Sequence, residues 1–135
     1  MTKKEILKYT NKIRKYLIEK ATKNEKTTYS DINIIFKIYV NKDGIPYTKG
    51  SCLSNIGHFL DVINIFEHKY NRLPLGAFVV KKTTGEVSNG FDGSCKNLGL
   101  KNTNPHEVRE ELTKFWNNKN NFNNYYDEEL EISDI

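Results

Sequence analysis

The sequence predicts a small α+β domain of winged-helix type, and three observations predict it. Thr28-Tyr29-Ser30-Asp31-Ile32 has the form of a helix start. Leu53, Ile56, Leu60, Ile63 and Phe66 recur every three or four residues, the stripe of an amphipathic helix. GAFVVKK, Thr83-Thr84-Gly85-Glu86 and VSNGF then read as strand, turn and second strand. The order helix, helix, hairpin is that of a winged helix, an architecture that mostly reads nucleic acid.

The chain of 135 residues is the length of one domain, with a body over residues 1–118 and an Asn-rich, then acidic tail over 119–135. From the N-terminus, Ile6, Leu7, Tyr9, Ile13, Tyr16, Leu17 and Ala21 mark one face of a helix over residues 3–23. Eight lysines and arginines, Arg14 among them, fill the rest of it, as a solvated or a phosphate-contacting face. NEKT breaks this helix, and Thr28 caps the next, with Asp31 three residues on. Ile32, Ile35, Phe36 and Tyr39 continue its stripe. Asp43-Gly44, Pro46 and Gly50 mark a loop, after which Ser51 is placed as the cap of the amphipathic helix over 51–70. Gly57 inside that helix costs about 1 kcal/mol against Ala. Close packing on another helix is its expected reason. Residues 92–103 read as loop. Asn104-Pro105-His106-Glu107 is a helix start with Asn at the cap and Pro at the first position, followed by the apolar face Val108, Leu112, Phe115 and Trp116.

Charge is unevenly spread. Residues 105–135 carry three basic against eight acidic side chains, a net −5, so the remainder carries +9 of the overall +4. A basic body favours a polyanion. The acidic tail is either a solvated end or a competitor for that polyanion. No apolar run has the length of a membrane span, and the N-terminus lacks the apolar core and cleavage site of a secretory signal, so a cytoplasmic protein is expected. Cys52 and Cys95 have no metal spacing and read as free thiols. Abundant Lys and Asn suggest an A+T-rich coding genome of bacterial or phage type.

Thr28-Tyr29-Ser30-Asp31-Ile32, Ser54-Asn55-Ile56-Gly57, Pro74 to Val80 and Gly85 to Phe91 together resemble the winged-helix domain of alkylguanine-DNA alkyltransferases and alkyltransferase-like proteins. The resemblance covers roughly half the chain, on short motifs. It implies docking on duplex DNA, with Tyr29 near a phosphate or a displaced base. The reactive Cys-His pair of that family is absent, since Leu75-Gly76-Ala77-Phe78 follows Pro74. Its duplex-entering arginine is absent too, with Ser54 and Asn55 in that area. Alkyl transfer is therefore not implied.

The expected function is non-enzymatic binding of double-stranded DNA, without a cofactor or metal. The helix after residue 50 would present Ser51, Ser54, Asn55, His58, Asp61, Asn64 and His68 to a groove, although Asp61 and Glu67 would repel phosphate. Lys81, Lys82 and Thr83 on the wing, and Lys42 and Lys49 on the preceding loop, would hold the backbone. A plain solvated surface is the alternative for each. His58 and Asp61 form an i, i+3 pair with no nucleophile nearby in sequence. Two other functions stay open: a phage or mobile-element protein that binds and inhibits a host nuclease or defence protein, and, third, a small nuclease, although the nuclease-like triplet Glu67-His68-Lys69 falls on an expected helix without a paired Pro-Asp and is discounted.

Overall fold

The structure is a computed structural model that describes residues 3–36 and 49–135, with the side chains of the helix beginning at Lys49 described from Ile56 onward. It is α+β, with helices dominant. In chain order come α1 (Lys3–Lys23), β1 (Thr27–Thr28), α2 (Tyr29–Phe36), α3 (Lys49–Lys69), a 3-10 turn (Leu75–Phe78), β2 (Val79–Val80), α4 (Asn89–Asn97), α5 (Pro105–Asn117), α6 (Lys119–Tyr125) and a final 3-10 turn (Ile132–Asp134).

Local signals account for several boundaries. Asn24 stops α1 in the left-handed region at φ 51°, and the Glu25 amide reaches back to the Lys20 carbonyl at 3.0 Å. Thr28 caps α2: its Oγ1 accepts the Asp31 amide at 3.0 Å. Asn104 caps α5 by accepting the Glu107 amide at 3.1 Å, with Pro105 at the first position. Asn71, at φ 61°, ends α3 as Asn24 ends α1.

The hairpin is not formed. The two short strands pair in parallel, Thr27 with Val79 and Thr28 with Val80. β1 comes from the link between α1 and α2, so the expected wing strand joins a segment distant in sequence. Leu75, Gly76, Ala77 and Phe78 are all buried, and a single tight turn lets this apolar segment enter the core without a strand neighbour on both sides. VSNGF is no strand: α4 begins at Asn89, within residues read as strand and loop. Phe91 and Cys95, one helical turn apart, turn inward, which is what makes the Gly-containing stretch helical here. Desolvation, with Asp92 adding to it, pushes the Cys95 thiol above its ordinary range.

The core lies where α1 meets α3, α5 and the 3-10 turn at Leu75. Ile13, Leu17, Ile63, Phe78, Leu112 and Trp116 are buried there. Of the α2 stripe, Ile32 is buried but Ile35 is exposed, and Tyr39 lies outside the described residues. Ser51 falls inside the first turn of α3 rather than at its cap. α3 is buried over most of its circumference, and among its described side chains only His58, Asp61, Ile65 and Lys69 are exposed. No helix among the described residues is long and apolar enough to cross a membrane.

The tail is fastened to the body by a buried charge network. Arg14 and Glu67, both fully buried, are paired at 3.0 Å. Arg72 grips both oxygens of Glu67 at 3.1 Å and reaches Glu128 at 2.8 Å. Arg14 also donates to the carbonyls of Tyr125, Tyr126 and Glu128 at 2.9, 3.2 and 2.9 Å. The left-handed Asn71 makes this possible by turning Arg72 back, so that its amide meets the Glu67 carbonyl at 2.9 Å. Glu67 is thus no phosphate-repelling surface charge, and Arg14 does not belong to the solvated face of α1.

Candidate nucleic-acid interface and an adjoining cleft

The residues expected to touch nucleic acid fall into three groups. Lys42 lies outside the described residues, and so do the side chains of Lys49, Ser51, Cys52, Ser54 and Asn55. His58 is exposed on α3. Asn64, expected on the same face, is buried, and its Oδ1 accepts the Gly76 amide at 3.0 Å.

Tyr29, Lys81, Lys82 and Thr83 form the third group. The parallel pairing ends at Thr28 and Val80, after which Tyr29 opens α2 and Lys81 enters the loop. The segment after β2 closes as a tight loop: the Lys81 amide meets the Glu86 carbonyl and the Gly85 amide meets the Lys81 carbonyl, each at 2.8 Å. Gly85 takes φ 69°, a conformation that favours glycine. Lys82 and Thr83 are exposed at the tip, while Lys81 is half-buried. The loop is tied to the link that follows α1, since Lys26 Nζ donates to the Gly85 carbonyl at 3.4 Å. Basic residues of the loop and of α1 therefore belong to one connected region.

On α1, burying Ile13, Leu17 and Ala21 turns Lys4, Lys8, Lys12 and Lys23 outward along the opposite face. None of these four has an ion-pair partner among the described residues. By helical rise they span about 28 Å. Glu5 and Glu19 lie exposed on the same face, and Lys15, half-buried on that face, pairs with Asp127 of the tail at 3.2 Å.

Comparison with known protein families, with curated proteins and with solved structures finds no match. The residues themselves therefore carry any functional reading.

Tyr29 also faces a cleft that the sequence did not indicate. Its hydroxyl donates to Ser88 Oγ at 3.0 Å, which leaves Ser88 at the α4 cap position without a capping bond. From there the cleft runs between α3 and α4, past Gly57, Asp61, Asn64 and Ser94. Ser94 Oγ donates to Asp61 Oδ1 at 2.8 Å. Asp61 thus pairs with Ser94 rather than with His58 as a dyad. A Cβ built at Gly57 meets nothing within 4 Å among the described residues. Close helix packing is therefore not the reason for this glycine, and its one signal in sequence was its cost inside a helix. Among the described residues, no group of three or more His, Cys, Asp or Glu could hold a metal ion.

Proposed function

We propose that this protein binds nucleic acid, double-stranded DNA in particular, through the phosphate backbone. The observation that carries the reading is the set of exposed lysines on α1, without ion-pair partners among the described residues, together with Lys26, which reaches the Lys81–Gly85 loop. In this reading α1 and the loop lie along the backbone, and α3, mostly buried, adds only its exposed strip around His58. A contact of this kind gives affinity with little sequence preference. It is made by positive charge alone, so it needs no reaction and no cofactor.

Titration of a labelled duplex at several salt concentrations tests it. Four phosphate contacts give a slope of log affinity against log salt of roughly −3 to −4. Lys4→Glu, Lys8→Glu and Lys12→Glu together are expected to weaken binding at least tenfold at low salt and to flatten that slope. Binding that ignores salt, or survives the triple reversal, would overturn the reading.

One observation favours a second reading, an inhibitor that binds a host protein. In the tail, Leu130 is buried while Asp127, Glu129 and Glu131 on either side are exposed, so an acidic ridge faces outward. Such a ridge suits a basic partner surface. A stoichiometric complex lost on Asp127→Lys, Glu129→Lys and Glu131→Lys, with DNA binding intact, would favour it over the first.

A further inference from the structure

We propose that the cleft between α3 and α4 binds a small uncharged molecule. Its ligand carries an amide edge, an N–H donor beside a C=O acceptor, on a body the size of a six-membered ring.

The space comes from glycine. Gly57, Gly76 and Gly90 all line the cleft, three of the eight glycines in the chain. Gly57 stands inside a helix, where glycine is costly, and has neither a positive φ nor, among the described residues, a packing neighbour to justify it. What its missing side chain leaves is room. The cleft holds about 150 Å³, the volume in which an apolar cavity accepts a benzene ring. A second hollow of about 260 Å³ adjoins it and shares Asp61, Asn64 and Ser94.

The polarity is set by two side chains one helical turn apart. Asn64 is only 4% exposed. The Gly76 amide fixes its carbonyl oxygen at 3.0 Å, so the amide cannot turn over, and its Nδ2 is left as a donor without a partner among the described residues. That donor borders the cleft, where a ligand acceptor would take its hydrogen bond. A Cβ at position 76 would sit 3.0 Å from that same Nδ2, so glycine there keeps the amide group accessible. Asp61, three residues earlier on the same side of α3, offers the acceptor. Ser94 holds one of its oxygens at 2.8 Å, which positions the carboxylate and leaves the other oxygen for an N–H. A donor and an acceptor so placed complement an amide edge.

The walls exclude other ligands. Leu60, Val79 and Phe91 supply apolar surface. Among the described residues no Lys, Arg or His lines the cleft and Asp61 is the charged group in it, so phosphate and carboxylate are unfavourable there. This site is chemically separate from the basic face of α1, and it stands whether or not that face binds nucleic acid.

Amide NMR spectra of the full chain, titrated with uracil and with nicotinamide, test the proposal. Benzoate and benzene serve as controls. Saturable shifts at Gly57, Gly76, Ser94 and the Asn64 side-chain amide are expected with the two amide-bearing rings. Asp61→Ala is expected to weaken that binding about tenfold, the effect of one hydrogen bond to a charged group. Gly57→Leu, whose Cβ meets no described atom within 4 Å, puts a branched side chain into the cleft and is expected to abolish binding while leaving the fold cooperative. Absence of saturable shifts, equal binding of benzoate or benzene, or unchanged binding in Gly57→Leu would each overturn the proposal.

Discussion

The two ends of α3 handle buried polarity in opposite ways. Towards its C-terminal end, Glu67 is fully buried, and each of its oxygens is gripped by arginine. Aromatic rings of Phe66, Trp116, Tyr70 and Tyr125 flank the two guanidinium groups at 5.0–6.0 Å. In this cluster the Trp116 indole N–H is the group without a hydrogen-bond partner. Three residues before Glu67, Asn64 is almost as buried, yet only its oxygen is engaged, and a cleft opens beside it. The comparison separates two uses of polar groups. A buried network whose carboxylate is fully engaged fastens the chain to itself. A half-satisfied group beside an open space is prepared for something else.

Breaking the closed end gives the largest expected effect. Glu67→Ala strands two buried guanidinium groups, and removing one partner of a buried ion pair costs about 3–5 kcal/mol. Urea denaturation is expected to show that loss, together with release of the tail as judged by proteolysis after Tyr125. A variant within 1 kcal/mol of the parent, by the scale of ordinary surface changes, would mean that the network is not what holds the tail.

The open end is expected to be gentler. Gly76→Ala puts a methyl group 3.0 Å from the Asn64 amide and is expected to cost about 1–3 kcal/mol by overpacking. Gly57→Ala goes the other way. It meets nothing and lies in a helix, so a gain of about 0.5–1 kcal/mol is expected, seen as a higher denaturant midpoint at unchanged slope. Loss of stability in Gly57→Ala would contradict an open cleft. The smallest effect belongs to the exposed face of α1: Lys8→Ala is expected to change stability by less than about 0.5 kcal/mol. A thiol reagent gives an independent check at the wall of the core. Cys95 is buried with its thiol pushed up, so it is expected to react only as the protein unfolds.

Much of the helical framework was legible because its signals are local. Asn104-Pro105-His106-Glu107 starts α5, Thr28 caps α2, and α1 follows its apolar period from residue 3 to residue 23. The hairpin failed as a reading because Val79 and Val80 look the same whether their partner is the next segment or Thr27 and Thr28. α4 was missed because two glycines and an asparagine suggest a turn, whereas the inward pull of Phe91 and Cys95 is visible only once a core exists. Arg14, Asn64 and Glu67 were read as surface residues, since charge and polarity alone predict exposure.

Sequence by itself determined where α1 runs and where α2 and α5 begin, and that the body is basic while the tail is acidic. Capping bonds and charge sums need no distant partner. Tertiary structure alone decided which strand pairs with which, which charges are buried, and that Gly57 borders a cleft. Each of those depends on groups far apart in the chain, whose meeting is set by packing rather than by any local preference.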